Sequence, residues 1–184
     1  MNAIPILTLK VTLRHTLPPI WRRLTVPGDI TLVCFDPVIQ AVMGWTNSTP
    51  HYFEDGQGTC YSTETVFAAA RNGRKTTLWA ILNKVGKRMT YHFGFEEDWE
   101  HDVRLEAVVE SPKRPNYAEC LGGKRRCPPD NCGGPLGFRD LLEAIASRRR
   151  SKPLGGFRGW IEGRFDPTIF EPSTVNSALR RIKV

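Results

Sequence analysis

Alternating apolar and polar residues in three segments constrain the fold of this chain more than any other feature of its sequence. Apolar side chains occupy every second position from Leu7 to Leu13, and the same period recurs from Met89 to Phe95 and from Trp99 to Val109. A period of two places one set of side chains on a buried face and the other set on a polar face, as in half-buried β-strands. We predict that the three strands pair in one antiparallel sheet.

A stripe of apolar residues at helical spacing lies between positions 31 and 45, formed by Val38, Ile39, Val42 and Met43. Proline is tolerated in the first turn of a helix, so Pro37 favours a helix that begins near Asp36. We expect this helix to cover the apolar face of the predicted sheet.

Two further helices are expected late in the chain, one from Pro135 and one from about Ser173. Strands therefore dominate the first two-thirds of the sequence and helices follow, which is typical of the α+β class. We predict an α+β fold with an antiparallel sheet, packed helices and a helical C-terminal third. The length of 184 residues suits one domain, so we assign residues 1–184 to a single domain.

The composition is that of a globular protein, since 40% of the residues are hydrophobic and nine phenylalanines and five tryptophans are available for a core. No apolar run approaches the length of a membrane span, and the first residues lack the basic start of a secretory signal. We expect no membrane partner and a cytoplasmic location. In that reducing compartment the five cysteines are expected as thiols or metal ligands and not as disulfides.

The net charge of +7 is concentrated in one part of the chain. Residues 1–110 carry 11 Lys/Arg and 12 Asp/Glu, a balance of −1, whereas residues 111–184 carry 15 and 7, a balance of +8. A basic surface attracts polyanions, so DNA or RNA is a candidate partner, and a solvated basic face is the alternative. The residues predicted to contact phosphates are Lys124, Arg125, Arg126, Arg148, Arg149 and Arg150.

Residues 111–134 are rich in proline, glycine and cysteine and show neither the helical nor the strand period, so we predict a long loop there. Loops of this length inside a compact domain are usually functional. A basic linker is expected at residues 147–156, after the helix that begins at Pro135.

Three cysteines of the predicted loop, Cys120, Cys127 and Cys132, are candidate zinc ligands, with six and four residues between them. Structural zinc sites use four Cys or His ligands. His101 is the predicted fourth ligand because an unpartnered imidazole on the apolar face of a strand is costly, and His51 is the other candidate. The alternatives are a core histidine bonded to a carbonyl and cysteines that act as small buried hydrophobes.

Two further segments leave a functional and a structural interpretation open. The acidic stretch at residues 96–102 offers carboxylates for a metal or a general base, but Glu100 and Asp102 fall on the strand face opposite His101, which favours a solvent-facing edge. In the segment IWRRL, Trp21 suits a stacked nucleobase with arginines at the phosphates, but its apolar flanks favour a place at the core.

Several motifs occur in one order along the chain: IWRRL with VPGD, HYF, DWEHDVRLE, CPPDNCGGP and FDPTIF. Together they resemble the Ri-plasmid ORF-3-like family, which includes a passenger protein of an insertion element labelled a resolvase. The resemblance spans nearly the full length and implies an α+β fold and an association with plasmids and mobile elements. It implies no established reaction. A serine resolvase needs an N-terminal catalytic serine, and no serine precedes Ser48 here.

The chain departs from the family pattern at three places. The family carries His-Leu-His before its phenylalanine, where residues 49–51 are Thr-Pro-His. It carries Leu-His in the helix after VPGD, where residues 35–36 are Phe-Asp, and Phe-Gly-Asp before WEH, where residues 95–97 are Phe-Glu-Glu. A site built on the family's histidines is expected to differ in this chain.

Two functions from different classes fit these observations. The first is a non-enzymatic accessory protein of a plasmid or mobile element that binds nucleic acid through a basic C-terminal surface. The second is a metal-dependent enzyme with a site around His51, His101 and the loop from Cys120 to Cys132. The sequence contains no nucleotide-binding glycine loop, protease zinc motif or nucleophile elbow, so we favour the first.

Replacing Arg148, Arg149 and Arg150 together with alanine is expected to flatten the salt dependence of nucleic-acid binding. Each neutralised phosphate releases counterions and contributes roughly 0.7 to 0.9 to the slope of log affinity against log salt concentration. Fluorescence anisotropy with a labelled oligonucleotide over a salt series measures this slope. Equal slopes for the parent chain and the triple variant would exclude these arginines from the contact.

Overall fold

The computed structural model describes residues 3–46, 49–62, 69–94, 97–147, 159, 163 and 165–184. Its central element is an eight-stranded sheet. In chain order the strands are β1 (Ile4–Leu13), β2 (Ile20–Pro27), β3 (His51–Asp55), β4 (Cys60–Ser62), β5 (Arg71–Asn72), β6 (Arg88–Phe93), β7 (Trp99–Ser111) and β8 (Glu119–Lys124). The helices within the described residues are α1 (Leu32–Met43), α2 (Leu78–Ile81), α3 (Gly134–Ser147) and α4 (Pro172–Leu179).

The strands lie in the order β5-β4-β3-β6-β7-β1-β2-β8. All neighbouring strands are antiparallel except β4 and β5, which are parallel. The predicted pairing of the three alternating segments is confirmed, because β1 pairs with β7 and β7 pairs with β6, both antiparallel. The long strands β1 and β7 therefore form the middle of the sheet.

The predicted fold class, α+β with an antiparallel sheet and a helical C-terminal third, is wrong. The sheet is mixed, and the C-terminal third is not a helical layer, since beyond α3 the described residues hold one short helix, α4. The parallel strand β5 has only two residues, Arg71 and Asn72, too few for any alternation to be visible in the sequence. The short edge strand β5 could therefore not be predicted from the sequence.

The predicted loop at residues 111–134 is also wrong in part, because it contains β8. The strand sequence ECLGGK has two glycines and no β-branched residue, so it lacks the composition by which strands are recognised. The predicted basic linker at 147–156 begins at the last residue of α3, and its remaining residues lie outside those described.

One face of the sheet is buried beneath α1. The alternating side chains of β1, β2, β6 and β7 on this face are buried, and the hydroxyl of Tyr91 and the guanidinium of Arg22 bond to residues of α1. The helix begins at Leu32, four residues earlier than predicted, and contains Pro37. Leu32 and Phe35 in its first turn are buried. The free energy gained by burying these side chains outweighs the loss of the hydrogen bond that the proline removes.

A β-bulge in the pairing of β1 with β7 changes which side chains of β7 face inward. Thr8 pairs with Ala107 and Leu9 pairs with Leu105, so the intervening residue has no partner on β1. Beyond the bulge the alternation inverts. Val108 packs against the core and Val109 is 63% exposed, the reverse of the simple alternation in the sequence.

None of the helices in the described ranges is long and apolar enough to cross a membrane.

Truncating the centre of the sheet is expected to destabilise the protein far more than truncating its surface. Leu9 on β1 is fully buried, whereas Leu17 is 86% exposed. We expect Leu9→Ala to lower the free energy of unfolding by about 2 to 5 kcal/mol, because it removes buried methyl groups and leaves a cavity. The matched control Leu17→Ala should change it by less than about 0.5 kcal/mol. Urea unfolding followed by tryptophan fluorescence measures both values.

Candidate functional site

A buried hydrogen-bonded cluster lies between α1 and the sheet, and we call it the Tyr91 cluster. Its members are Asp36, Gln40, His51, Tyr91 and His101. The Tyr91 hydroxyl donates to Asp36 Oδ1 at 2.5 Å and accepts from Gln40 Nε2 at 2.5 Å. Asp36 and Gln40 are buried, and burying a carboxylate is costly unless it has partners. The tyrosine therefore links two polar residues of α1 to β6.

The two histidines reach this cluster from β3 and β7. His51 Nε2 lies 3.6 Å from Asp36 Oδ1. His101 is fully buried, and its Nδ1 lies 3.2 Å from the carbonyl oxygen of Tyr91. A carbonyl oxygen only accepts hydrogen bonds, so Nδ1 carries the proton and Nε2 presents a lone pair. That Nε2 has no hydrogen-bond partner within the described ranges.

The surroundings of His101 keep its ring neutral. Burial lowers its pKa to about 3, because the neighbouring rings of Trp45 and Tyr91 cannot replace the water that would solvate an imidazolium. Gln40 Oε1 is a second buried acceptor for which the described residues supply no donor. Two buried acceptors of this kind suit a water molecule or a ligand with N–H or O–H groups.

Sequence reasoning identified both histidines and missed Asp36, Gln40 and Tyr91. A signal for the first two was available, since Asp36, Gln40 and Met43 stand at helical spacing on the buried side of α1. Asp36 and His51 belong to two of the three segments in which this chain departs from the family pattern. The structure places these two residues side by side, so the two departures lie at one place in the fold.

The predicted zinc ligands are not brought together as one site. In the described part of the chain, one group of residues places three candidate ligand atoms within 4.8 Å of one another. That group contains none of the predicted zinc ligands. Trp45 lies between His101 and the cysteine segment, with its ring 5.1 Å from the ring of His101 and its Nε1 donating to the carbonyl of Pro128 at 2.9 Å. Zinc binding stays a prediction, and the geometry does not support the ligand set Cys120, Cys127, Cys132 and His101.

The three cysteines have the properties of small buried hydrophobes. Burial raises the pKa of each thiol, to about 11 for Cys127 and about 12 for Cys132. The thiolate is the form that ligates metals and attacks electrophiles, and these thiols are protonated at neutral pH. Cys120 lies on β8, where its backbone accepts from and donates to the side-chain amide of Asn176 on α4 at 3.0 and 2.7 Å.

Arg22 on β2 is buried and joins three parts of the fold. Its Nε donates to the carbonyl of Val42 at the end of α1, and Nη1 donates to the carbonyls of Trp21 and Lys124. Its Nη2 lies 3.0 Å from Sγ of Cys127. Burial lowers the pKa of Arg22, and the carbonyls partly compensate for the lost water. The structure thus favours the structural interpretation of this arginine in IWRRL.

A cavity of about 460 Å³ lies beside Arg22, and we call it the Arg22 cavity. Its walls include Arg126 with Phe165 and Phe170. The guanidinium of Arg126 lies 5.1 Å from the ring centre of Phe165, and that of Arg22 lies 3.9 Å from the ring centre of Phe170. Of the predicted phosphate contacts, Arg126 lines this cavity, Lys124 is the last residue of β8 and Arg125 follows it. Arg148, Arg149 and Arg150 lie outside the described residues.

The group of three candidate metal ligands noted above lies on the other face of the sheet. It consists of His92 on β6, Asp98 immediately before β7 and Glu100 on β7. The ring of His92 stacks on that of Tyr52, with the ring centres 4.2 Å apart. Burial lowers the pKa of His92, although the neighbouring carboxylates oppose this shift. The sequence analysis placed Glu100 and Asp102 on this face but missed His92, which lies across from Glu100 on the neighbouring strand.

Acid is expected to destabilise the fold through His101. Its pKa is about 3 in the folded protein and about 6.5 in an unfolded chain, so the unfolded state binds more protons as the pH falls below about 6.5. The contribution to stability is complete above that pH and is lost at about 1.4 kcal/mol per pH unit below it. His101→Asn keeps an N–H for the Tyr91 carbonyl and cannot titrate, so its unfolding free energy should depend less on pH. Urea unfolding at neutral and mildly acidic pH tests this, and identical pH dependence in both proteins would contradict it.

Comparison with known proteins agrees with the resemblance noted in the sequence. The chain matches the family described as "Plasmid pRiA4b ORF-3-like protein" over residues 5–174. It is 33% identical over 178 residues to "Uncharacterized protein y4hQ" of Sinorhizobium fredii, which covers 95% of this chain and 90% of that protein. The crystal structure of the "Protein of Unknown Function MM3350" from Methanosarcina mazei Go1 matches 92% of this chain and 97% of its own, with a TM-score of 0.80 and 26% identity. The chain belongs to the plasmid pRiA4b ORF-3-like family.

Proposed function

We propose that this protein is a non-enzymatic accessory protein of plasmids or mobile elements and that it binds nucleic acid through a basic surface of its C-terminal part. The charge distribution supports the proposal, since residues 111–184 carry a balance of +8 and residues 1–110 a balance of −1. A polyanion would therefore be attracted to the C-terminal part of the chain.

The unpaired state of the basic segment Lys124–Arg126 carries the proposal. No ion pair joins its three side chains to a carboxylate in the described ranges. Four arginines elsewhere, Arg14, Arg23, Arg88 and Arg114, each lie 2.6 to 2.9 Å from a carboxylate oxygen. The pKa of the nearby Asp166 is lowered by hydrogen bonds from Thr168 and, to a smaller extent, by the charges of Arg126 and Arg125. Asp166 forms no ion pair with either arginine. The segment therefore keeps its charge for an external anion.

Aromatic rings beside the basic segment support a nucleic-acid ligand over a simple anion. Phe165 lies under the guanidinium of Arg126, and Phe170 lines the same cavity. Proteins that bind single strands combine cations for the phosphates with aromatic rings on which bases stack. The Arg22 cavity, at about 460 Å³, falls within the range of volumes typical of ligand pockets. A base or a sugar-phosphate unit of a strand is the ligand that we assign to it.

The alternative, a metal-dependent enzyme around His51, His101 and the cysteines, has less support. The two histidines lie in the Tyr91 cluster, whereas Cys127 lies against Arg22 and Met43. Burial keeps the thiols of Cys127 and Cys132 protonated at neutral pH, which makes them poor nucleophiles. The residues on which the alternative depends therefore do not meet in one reactive arrangement.

Replacing Arg126 with alanine is expected to weaken nucleic-acid binding and to reduce its salt slope by roughly 0.7 to 0.9, the contribution of one phosphate contact. The loss should be similar for oligonucleotides of different sequence, because phosphate contacts carry no sequence information. Fluorescence anisotropy with single-stranded and duplex oligonucleotides over a salt series measures affinity and slope together.

Lys84→Ala is the matched control, since Lys84 is exposed and lies in the part of the chain without excess positive charge. We expect it to leave the salt slope unchanged. The proposal is wrong if the parent protein shows no binding to any oligonucleotide at low salt, or if Lys84→Ala and Arg126→Ala reduce the slope equally.

A further inference from the structure

We propose that His92, Asp98 and Glu100 form a binding site for a divalent first-row transition-metal ion on the face of the sheet opposite α1. We call it the His92 site. It is separate from the Tyr91 cluster, and the proposal does not depend on nucleic-acid binding.

The spacing of the three side chains is the first observation. His92 and Glu100 are direct partners in the pairing of β6 with β7, and Asp98 immediately precedes β7. One ligand atom from each residue lies within 4.8 Å of the other two, and the three residues form no hydrogen bonds with one another. Ligands at about 2.0 to 2.2 Å from one ion lie roughly 3 to 4.4 Å apart, so small side-chain movements would complete the coordination.

The state of the His92 ring is the second, independent observation. Its Nε2 is buried and has no hydrogen-bond partner in the described part of the chain. The nearest carboxylate oxygen beside it, Glu54 Oε2, lies 3.9 Å away, beyond hydrogen-bond distance. Stacking on Tyr52, with the two rings 4° from parallel, fixes the orientation of the imidazole. A buried nitrogen held in place without a partner is costly, and a bound ion would satisfy it.

The charge around the site favours a cation. Elsewhere on this face Glu106 and Asp102 each have one arginine partner, Arg23 and Arg88 respectively. Around His92 three carboxylates, Glu54, Asp98 and Glu100, have Arg14 as their one arginine partner, with the exposed His15 3.9 Å from Glu100. The excess of negative charge is a cost that a divalent ion would remove.

Arg14 is compatible with the site and orients one ligand. Its Nη1 donates to Glu100 Oε2 at 2.7 Å, and Nη2 donates to Oγ1 of Thr90 at 3.1 Å. The second oxygen, Glu100 Oε1, forms no hydrogen bond with the described residues and is available to an ion. Ligating carboxylates are commonly held by such outer hydrogen bonds.

The ligand set selects the class of ion. One imidazole nitrogen with two carboxylates suits ions such as Mn²⁺, Fe²⁺ and Zn²⁺ and disfavours Cu⁺, which prefers sulfur. Three protein ligands leave further coordination positions for water or a small ligand. Mn²⁺ is the best probe for this chain, because its preference for oxygen and nitrogen keeps it away from the exposed thiol of Cys34.

The test is a Mn²⁺ titration of the intact protein, with free Mn²⁺ measured by electron paramagnetic resonance. We expect one ion per chain for the parent protein and a loss of affinity of tenfold or more for Asp98→Asn. Asp98 is exposed and has a positive φ of 51°, which asparagine tolerates, so this variant should fold. The matched control is Asp102→Asn, which makes the same chemical change on the same face of β7, and it should bind as the parent does.

A second measurement locates the ion. Paramagnetic broadening of amide resonances by Mn²⁺ should centre on Tyr52, His92 and Glu100, and His92→Phe, which retains a ring for stacking on Tyr52, should abolish it. The proposal is overturned if the parent protein binds no Mn²⁺ at millimolar concentration, if Asp102→Asn weakens binding as much as Asp98→Asn, or if the broadening centres elsewhere.

Discussion

The pairing of β1 with β7 in the middle of the sheet is the constraint around which the remaining structure is arranged. Each strand has a buried face that is mainly apolar, and the two faces lie on the same side once the strands pair. Burial of that side at roughly 25 cal/mol per Å² is the main favourable term available to a chain of this length. It requires a covering element, and α1 provides the apolar stripe that fits. The opposite side is left polar, so the two faces of one sheet acquire different chemistry.

The covered face contains polar groups that position α1 over the strands. Tyr91 bonds to Asp36 and Gln40 on α1, and Arg22 bonds to the last turn of the helix at Val42. These bonds act along the helix from Asp36, in its second turn, to Val42, in its last turn. Apolar contacts alone are non-directional, whereas two sets of hydrogen bonds fix where the helix lies along the sheet. The buried polar groups therefore specify the arrangement that the hydrophobic effect stabilises.

The long strands and α1 could be predicted from sequence because each has enough residues for its period to be visible. The β5 strand of two residues and the glycine-containing β8 could not, since neither offers a repeat or a strand-like composition. For the same reason the side chain of Val109 was expected to point inward, since no pattern in β7 indicates the bulge that exposes it.

The candidate site residues also differ in how far the sequence could predict them. His101 could be identified by its position on an apolar face. Its separation from the cysteine segment, in contrast, depends on the position of Trp45. The proximity of His92 to Asp98 and Glu100 depends on strand register, which the sequence does not specify.

The contact between Asn176 and Cys120 has a consequence for how the sheet ends. The amide oxygen of Asn176 accepts from the backbone N–H of Cys120, and the amide nitrogen donates to the Cys120 carbonyl. A side chain thereby takes the place that one residue of a ninth strand would occupy. Sheet edges with free backbone groups are templates on which other chains add strands and build fibrils. Because Asn176 occupies both backbone groups of Cys120, these two groups are not available to pair with an added strand at this point of the edge.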